Sequence, residues 1–264
     1  IEATFVPQTD LAAWRAAIRP NTKLLFAETP TNPLTDLCDI AALAELAHAT
    51  GALLAVDNCF ATPVLQRPLA LGADIVVHSG TKFLDGQGRV MGGALCASRK
   101  LVDESFNPVV RTAGMVLSPF NAWVLLKGLE TLALRVKAQS ASALQLAQWL
   151  EQQPLVERVF YPGLPSHPQH DLARRQMANF SGMIAFQTHQ DGSEIARRMV
   201  SDLQHVHFAV SLGHLRSLIY WIGTDDILQS TYQHPPEAEA RFRALTGRGI
   251  FRLSVGLEHP DDIC

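Results

Sequence analysis

"VVHSGTKFLDG" (Val76–Gly86) runs a short apolar strand straight into a lysine, Lys82, set among small hydroxyl residues and glycines. The same design occurs twice upstream. "KLLFAE" (Lys23–Glu28) leads into "TPTNP", and "ALLAVDN" (Ala52–Asn58) ends on Asp57 and Asn58. "DIAALAELAHATG" (Asp39–Gly51) lies between these two strands, with Ile40, Leu43, Leu46 and Ala47 at helical spacing and Gly51 as its stop. Nearly continuous apolar strands that alternate with helices predict a mostly parallel sheet flanked by helices. Ligands of such sheets sit at the carboxyl ends of the strands. Three successive strands end here in polar or reactive groups: Glu28 to Asn32, Asp57 with Asn58, and His78 to Lys82.

Further along, "RVMGGALCAS" (Arg89–Ser98) reads as a fourth strand. The stretch from Ser118 to Pro154 is helical, with Ser118 as N-cap and Pro119 at the first helical position. Gly128 inside it suggests two helices or one broken helix. From about Val156, "MIAFQTH", "FAVSL" and "IFRLSVGL" read as strands of a small α+β domain. The boundary is placed inside the helical region, giving a larger domain over 1–139 and a C-terminal domain over 140–264.

Bulk properties narrow the function. Apolar residues make up 47% and charged residues 18% of 264 positions, the composition of a chain with a packed core. A net charge of −3 gives no electrostatic case for nucleic acid or an anionic membrane. No apolar run approaches the roughly 20 residues of a membrane span. Cys38, Cys59, Cys96 and Cys264 are widely spaced without a CxxC pair, which points to a reducing, cytoplasmic setting. The opening "IEATFVPQTDL" lacks the features of a signal peptide and reads as the interior of a longer protein.

A lysine forms a Schiff base when it is positioned and partly desolvated. Pyridoxal 5'-phosphate (PLP) asks a protein for such a lysine, for an anion at its ring nitrogen, and for donors to its phosphate. Lys82, Asp57 and the pair Ser79 and Thr81 supply these from adjacent strand ends, aided by backbone N–H groups around the phosphate. Other motifs carry less. "GQGRVMGG" (Gly86–Gly93) departs from a dinucleotide fingerprint in its third glycine and precedes a strand. His167 and His170 of "HPQH" lack a third metal ligand nearby in sequence, so no metal is expected. Cys59 reads as a small packed side chain with no activating base.

"ETPTNP", "AVDNCFATPVLQRPLALGADIVVHSGTKFLDG", "YPGLPSHPQHDLARRQM" and "FRLSVGLEHPDDI" resemble the Cys/Met metabolism family of PLP enzymes, from the first residues to the last. The resemblance implies the PLP-dependent transferase fold of type I. It implies that Lys82 holds PLP covalently, that Asp57 pairs with the ring nitrogen, and that Ser79 and Thr81 bind the phosphate. Asn32 would lie near the phenolic oxygen and the substrate carboxylate. Arg252 would grip that carboxylate, with Ser211 beside it. "TKFLDGQGRVMGGAL", "VVRTAG" and "NAWVLLKGLETLALR" look most like the family's sulfhydrylase branch, which makes homocysteine from O-succinylhomoserine and sulfide. The γ-synthases and γ-lyases stand close behind. Arg111 or Arg89 would hold the distal succinyl carboxylate. The implied assembly is a tetramer built as a dimer of dimers with shared sites.

Two departures matter. The segment 214–233, "HLRSLIYWIGTDDILQSTYQ", differs from the family's usual pattern after "SLG". The family's phosphate loop, ring-stacking aromatic and basic residues lent across a dimer precede anything present here. This chain is therefore expected to carry part of the cofactor site, and a truncated, inert subunit is the alternative to an enzyme.

Overall fold

The computed structural model describes residues 1–229 and 235–264. Positions 230–233 of the divergent segment lie outside the described residues. Four strands form the first sheet in the order β1 (Leu24–Glu28), β2 (Leu53–Asp57), β3 (Ile75–Ser79) and β4 (Gly93–Ala97). The first three are parallel, and β4 pairs antiparallel with β3. A parallel return needs a crossover. The helix Ile40–Ala49 supplies it between β1 and β2. Asp39 caps that helix by accepting from the Ala42 N–H at 3.0 Å, and Gly51 follows its end at φ 72°. Its buried face, Ile40, Leu43, Ala44 and Ala47, packs on Leu54 and Val56 of the sheet. Each such buried leucine or isoleucine contributes roughly 1.5–3 kcal/mol.

The fourth strand is shorter than the sequence suggests. Arg89 is drawn back to Asp85, whose Oδ2 accepts from the Arg89 N–H at 2.8 Å, so pairing with β3 starts only at Gly93. The helical stretch divides into Pro119–Leu129 and Leu132–Leu150, and the second helix runs unbroken through positions 139 and 140. Ser118 caps the first by accepting from Asn121 N–H at 3.1 Å. Gly128 is not the break; it is a close contact, since a Cβ there would lie 2.4 Å from the Leu84 carbonyl oxygen.

Five strands form the second sheet: β5 (Val156–Phe160), β6 (Met183–Thr188), β7 (His207–Phe208), β8 (Leu218–Gly223) and β9 (Gly249–Ser254), in the order β5-β6-β9-β8-β7. Only β7 and β8 run parallel within it. "FAVSL" gives only Phe208 to β7, because beyond it the chain leaves the sheet toward the Lys82 turn. The Leu132–Leu150 helix buries Ala143, Leu146, Ala147 and Leu150 against Ile184, Phe186, Phe251 and Leu253. A third cluster joins the sheets: Phe83, next to Lys82, packs with Leu37, Phe60, Val136, Met183 and Leu212.

Candidate active site

The parallel register of β1 and β2 places Glu28 level with Asp57, and β2 places Asp57 level with Val77 on β3. The polar ends of the three strands therefore meet along one edge, as the sequence indicates. Asp57 Oδ1 accepts from the Cys59 N–H at 2.9 Å, and Cys59 Sγ accepts from the Ser79 N–H at 2.9 Å. Asp57 and Ser79 are thus linked through one residue. Burial pushes the Cys59 thiol up to about 12, with the Asp57 carboxylate adding to the rise, so it stays protonated.

Lys82 is half-buried in a wide helical turn, Gly80–Leu84, directly after β3. Its backbone leaves helical geometry (φ −95°, ψ −127°). Burial lowers its pKa, and the Arg252 guanidinium lowers it further, against a smaller opposing effect of Cys59. The Thr81 hydroxyl accepts from the Gly92 N–H at 3.2 Å. The Gly80 N–H donates to the Gly92 carbonyl at 2.8 Å. The Thr81 hydroxyl also lies 3.5 Å from the Gly92 carbonyl, so the Ser79 and Gly80 amides and the Thr81 hydroxyl all have partners within the chain. His78 is buried, its Nδ1 has no partner among the described residues, and burial lowers its pKa against the opposing charge of Asp57.

On the facing wall, Arg252 of β9 is 7% exposed and donates through Nη1 to Asn32 Oδ1 at 3.0 Å and through Nη2 to the Val210 carbonyl. Two residues 220 positions apart are therefore joined as one unit. Ser211, next to Val210, is exposed at the rim. The loop then turns at Gly213, whose N–H donates to Ser254 Oγ at 2.8 Å and which lies against the Lys82 and Phe83 backbone. A cavity of about 690 Å³ opens beside Asn32 and Arg252, with Gln8, Ile222, Arg241 and Phe242 in its walls.

The two arginines considered for a distal carboxylate differ. Arg89 is engaged with Asp85, at 2.9 Å through Nε and 2.7 Å through Nη2. Arg111 is exposed in the helix Asn107–Ala113. His167 and His170 have local tasks: His167 Nδ1 accepts from the Gln169 N–H at 3.1 Å, and His170 Nδ1 lies 2.8 Å from the Pro162 carbonyl.

Sequence reasoning placed Glu28 at a strand end without giving it a role, and it missed Arg135. Burial pushes the Glu28 carboxyl up to about 7, opposed by the Asn32 N–H and supported by the charge of Asp57. Strand-end carboxylates in parallel register are the signal that could have found it. Arg135 is buried and holds the carbonyls that follow Lys82; nothing in its helical sequence setting marks it.

The donor set fits PLP: a lysine whose charge is disfavoured, a carboxylate fixed by its own turn on the next strand end, and hydroxyls between them. Comparison with known proteins agrees. The family described as Cys/Met metabolism PLP-dependent enzyme matches residues 1–264. An O-succinylhomoserine sulfhydrylase of Pseudomonas aeruginosa is 52% identical over 263 residues, covering 100% of this chain and 63% of that protein. A cystathionine gamma-lyase of Bacillus subtilis is 40% identical over 100% of this chain and 67% of its own length. The crystal structure of a cystathionine gamma-lyase from Lactobacillus plantarum, complexed with L-serine, superposes with a TM-score of 0.86 at 39% identity, over 98% of this chain and 66% of that one. This chain spans slightly less than two thirds of the sulfhydrylase it matches. By its strand-end site and its match over every residue, the chain belongs to the Cys/Met metabolism family of PLP-dependent enzymes.

Proposed function

We propose that this chain carries the lysine, the ring-nitrogen carboxylate and the carboxylate-binding arginine of a γ-replacement enzyme. The proposed reaction joins O-succinylhomoserine and sulfide to give homocysteine and succinate. The observation that carries the reading is the placement of Arg252, bonded to Asn32, within electrostatic reach of the half-buried Lys82 amine. When bound, PLP supplies an electron sink for carbanion chemistry.

The chain's own residues supply the rest. Arg252 offers a guanidinium fork to the α-carboxylate. Asn32 fixes one arm of that fork, and Ser211 stands at its rim. Asp57 would hold a proton on the ring nitrogen of PLP, and Ser79 and Thr81 would hold its phosphate. Lys82, with its neutral form favoured by burial and by Arg252, takes the proton from Cα as a general base and returns it later as an acid. Of the two arginines considered for the distal succinyl carboxylate, Arg89 is occupied by Asp85, which leaves Arg111 of that pair. Arg111→Ala should then lower turnover of the succinyl ester more than that of the acetyl ester; equal losses would remove it from this role.

The test of the reading is cofactor loading. Protein mixed with PLP should show a visible absorption band that borohydride bleaches, leaving the label on the peptide containing Lys82. Lys82→Ala should abolish that label. A protein that stays colourless sinks the enzyme reading for this chain and leaves an inert subunit. Relatives with lyase names give a second reading within the family. Product analysis separates the two, since a γ-lyase releases a 2-oxo acid and ammonia where a sulfhydrylase releases homocysteine. The free cysteines, Cys38, Cys59, Cys96 and Cys264, support a cytoplasmic setting, and a homotetramer is the proposed assembly.

A further inference from the structure

Lys82 does not sit on a regular strand or helix, so something else must fix the direction of its side chain. The turn that carries it closes through two backbone bonds, Asp85 N–H to the Gly80 carbonyl at 3.1 Å and Gly86 N–H to the Lys82 carbonyl at 2.8 Å. Its next two carbonyls, on Phe83 and Leu84, point out of the turn. Arg135, on the Leu132–Leu150 helix, meets both. Nη1 donates to the Phe83 carbonyl at 2.9 Å, and Nη2 donates to the Leu84 carbonyl at 3.3 Å and the Gly128 carbonyl at 2.8 Å. Nε donates to Thr131 Oγ1 at 3.0 Å. Arg135 is 5% exposed, and none of these bonds goes to a carboxylate. Burying a guanidinium against neutral oxygens is costly unless its donors are satisfied in good geometry. Here one planar fork reaches three carbonyls that a lysine ammonium could not span together. The space for it is kept open by Gly86, since a Cβ there would lie 2.2 Å from Nη1.

We propose that Arg135 is the positioning residue for Lys82, clamping the backbone just after it so that its amine is held at the strand ends. The inference rests on the reading of Lys82 as the reactive amine. Arg135 acts through the Phe83 and Leu84 carbonyls and has no contact with substrate or cofactor. The charged and titratable groups that face Lys82 are Arg252 from β9 and Cys59 after β2. Those that face Arg135 are Asp85 and Arg89. Loss of the clamp leaves all of these in place and changes only where the amine sits.

Competitive acetylation across pH, read peptide by peptide, reports the titration of each lysine without any cofactor. In the wild-type chain Lys82 should label at lower pH than Lys23, Lys100, Lys127 and Lys137. In Arg135→Ala and Arg135→Lys the Lys82 midpoint should rise by about one unit toward the others, whose midpoints stay put. Added guanidinium should restore it in Arg135→Ala. Gly86→Ala, which pushes the guanidinium out without removing it, should give the same selective rise and serves if the Arg135 variants do not fold. An unchanged Lys82 midpoint in the folded variants overturns the proposal, as does a rise shared by all five lysines. PLP labelling is scored separately. A wild-type chain that takes no PLP, with an Arg135-dependent Lys82 midpoint, overturns the cofactor reading and supports the clamp. A chain that takes PLP equally well with and without Arg135, at an unchanged midpoint, does the reverse.

Discussion

Glu28 and Asp57 end neighbouring parallel strands in register. Burial pushes Glu28 up to about 7 from its ordinary value of 4.5. The folded chain therefore holds this proton more tightly than the unfolded chain does. The stability that it contributes is complete below about pH 4.5 and is lost as pH rises through about 7. Glu28→Gln should gain stability relative to wild type between about pH 5 and about pH 8, by about 1–3 kcal/mol, in urea midpoints taken along that range. A pH-independent difference would contradict this. At this scale the placement of the candidate residues was legible. That Lys82, Asp57, Ser79 and Thr81 would come to neighbouring strand ends could be read because strand ends are marked by composition. The protonation of Glu28 could not, because it depends on burial under the "TPTNP" loop. Arg135 could not either: its partners Phe83 and Leu84 are 52 and 51 positions away, and an arginine in a helix ordinarily faces water.

At the scale of elements, the helix Pro119–Leu129 lies on the Lys82 turn through Gly128. Gly128→Ala would place a methyl group 2.4 Å from the Leu84 carbonyl oxygen and 2.8 Å from the Asp85 Cα. Both are backbone atoms, so relief requires the helix to shift. The expected cost is about 1–3 kcal/mol, measured as a lower urea midpoint; a wild-type midpoint would show that the helix floats free of the turn. The parallel strands and their helix were readable because each is a continuous apolar run with a capped partner. β8 was not, because "LIYWIG" is level with β9 and gains its identity from that cross-strand pairing, Tyr220 against Arg252 and Trp221 against Phe251. β5 sets two adjacent charges, Glu157 and Arg158, between valines in "VERVF" and shows little to a reader of apolar runs.

For the whole molecule, the distribution of exposed apolar side chains is uneven. Met91, Met115, Val116, Phe120, Trp123, Leu126 and Leu134 are all more than half exposed, and most belong to the Pro119–Leu129 helix and its flanks. Phe120 and Trp123 face one another at 6.1 Å on that surface. A patch of this kind favours association. Sedimentation velocity over a range of concentrations should show more than one copy per particle, and Trp123→Glu should move the distribution toward the single chain. A monomer at every concentration would count against the proposed assembly. Among the described residues no helix is long and apolar enough to cross a membrane.

The hydrogen bonds that tie the two sheets together reach very far along the chain. Thr35 Oγ1 donates to the Phe160 carbonyl at 3.2 Å, Ser181 Oγ donates to the Phe60 carbonyl at 2.7 Å, and the Leu37 N–H donates to Gln169 Oε1 at 2.8 Å. The bond between Arg252 and Asn32 closes the longest of these loops. During synthesis, Asn32 leaves the ribosome long before its partner exists. The first sheet can form early on its own helix, but Asn32 at its strand ends stays without this partner until β9 emerges. The Arg252–Asn32 pair is thus completed only after β9 is made. A nascent chain stalled short of β9 would hold Lys82 and Asp57 but lack the pair proposed to bind a substrate carboxylate.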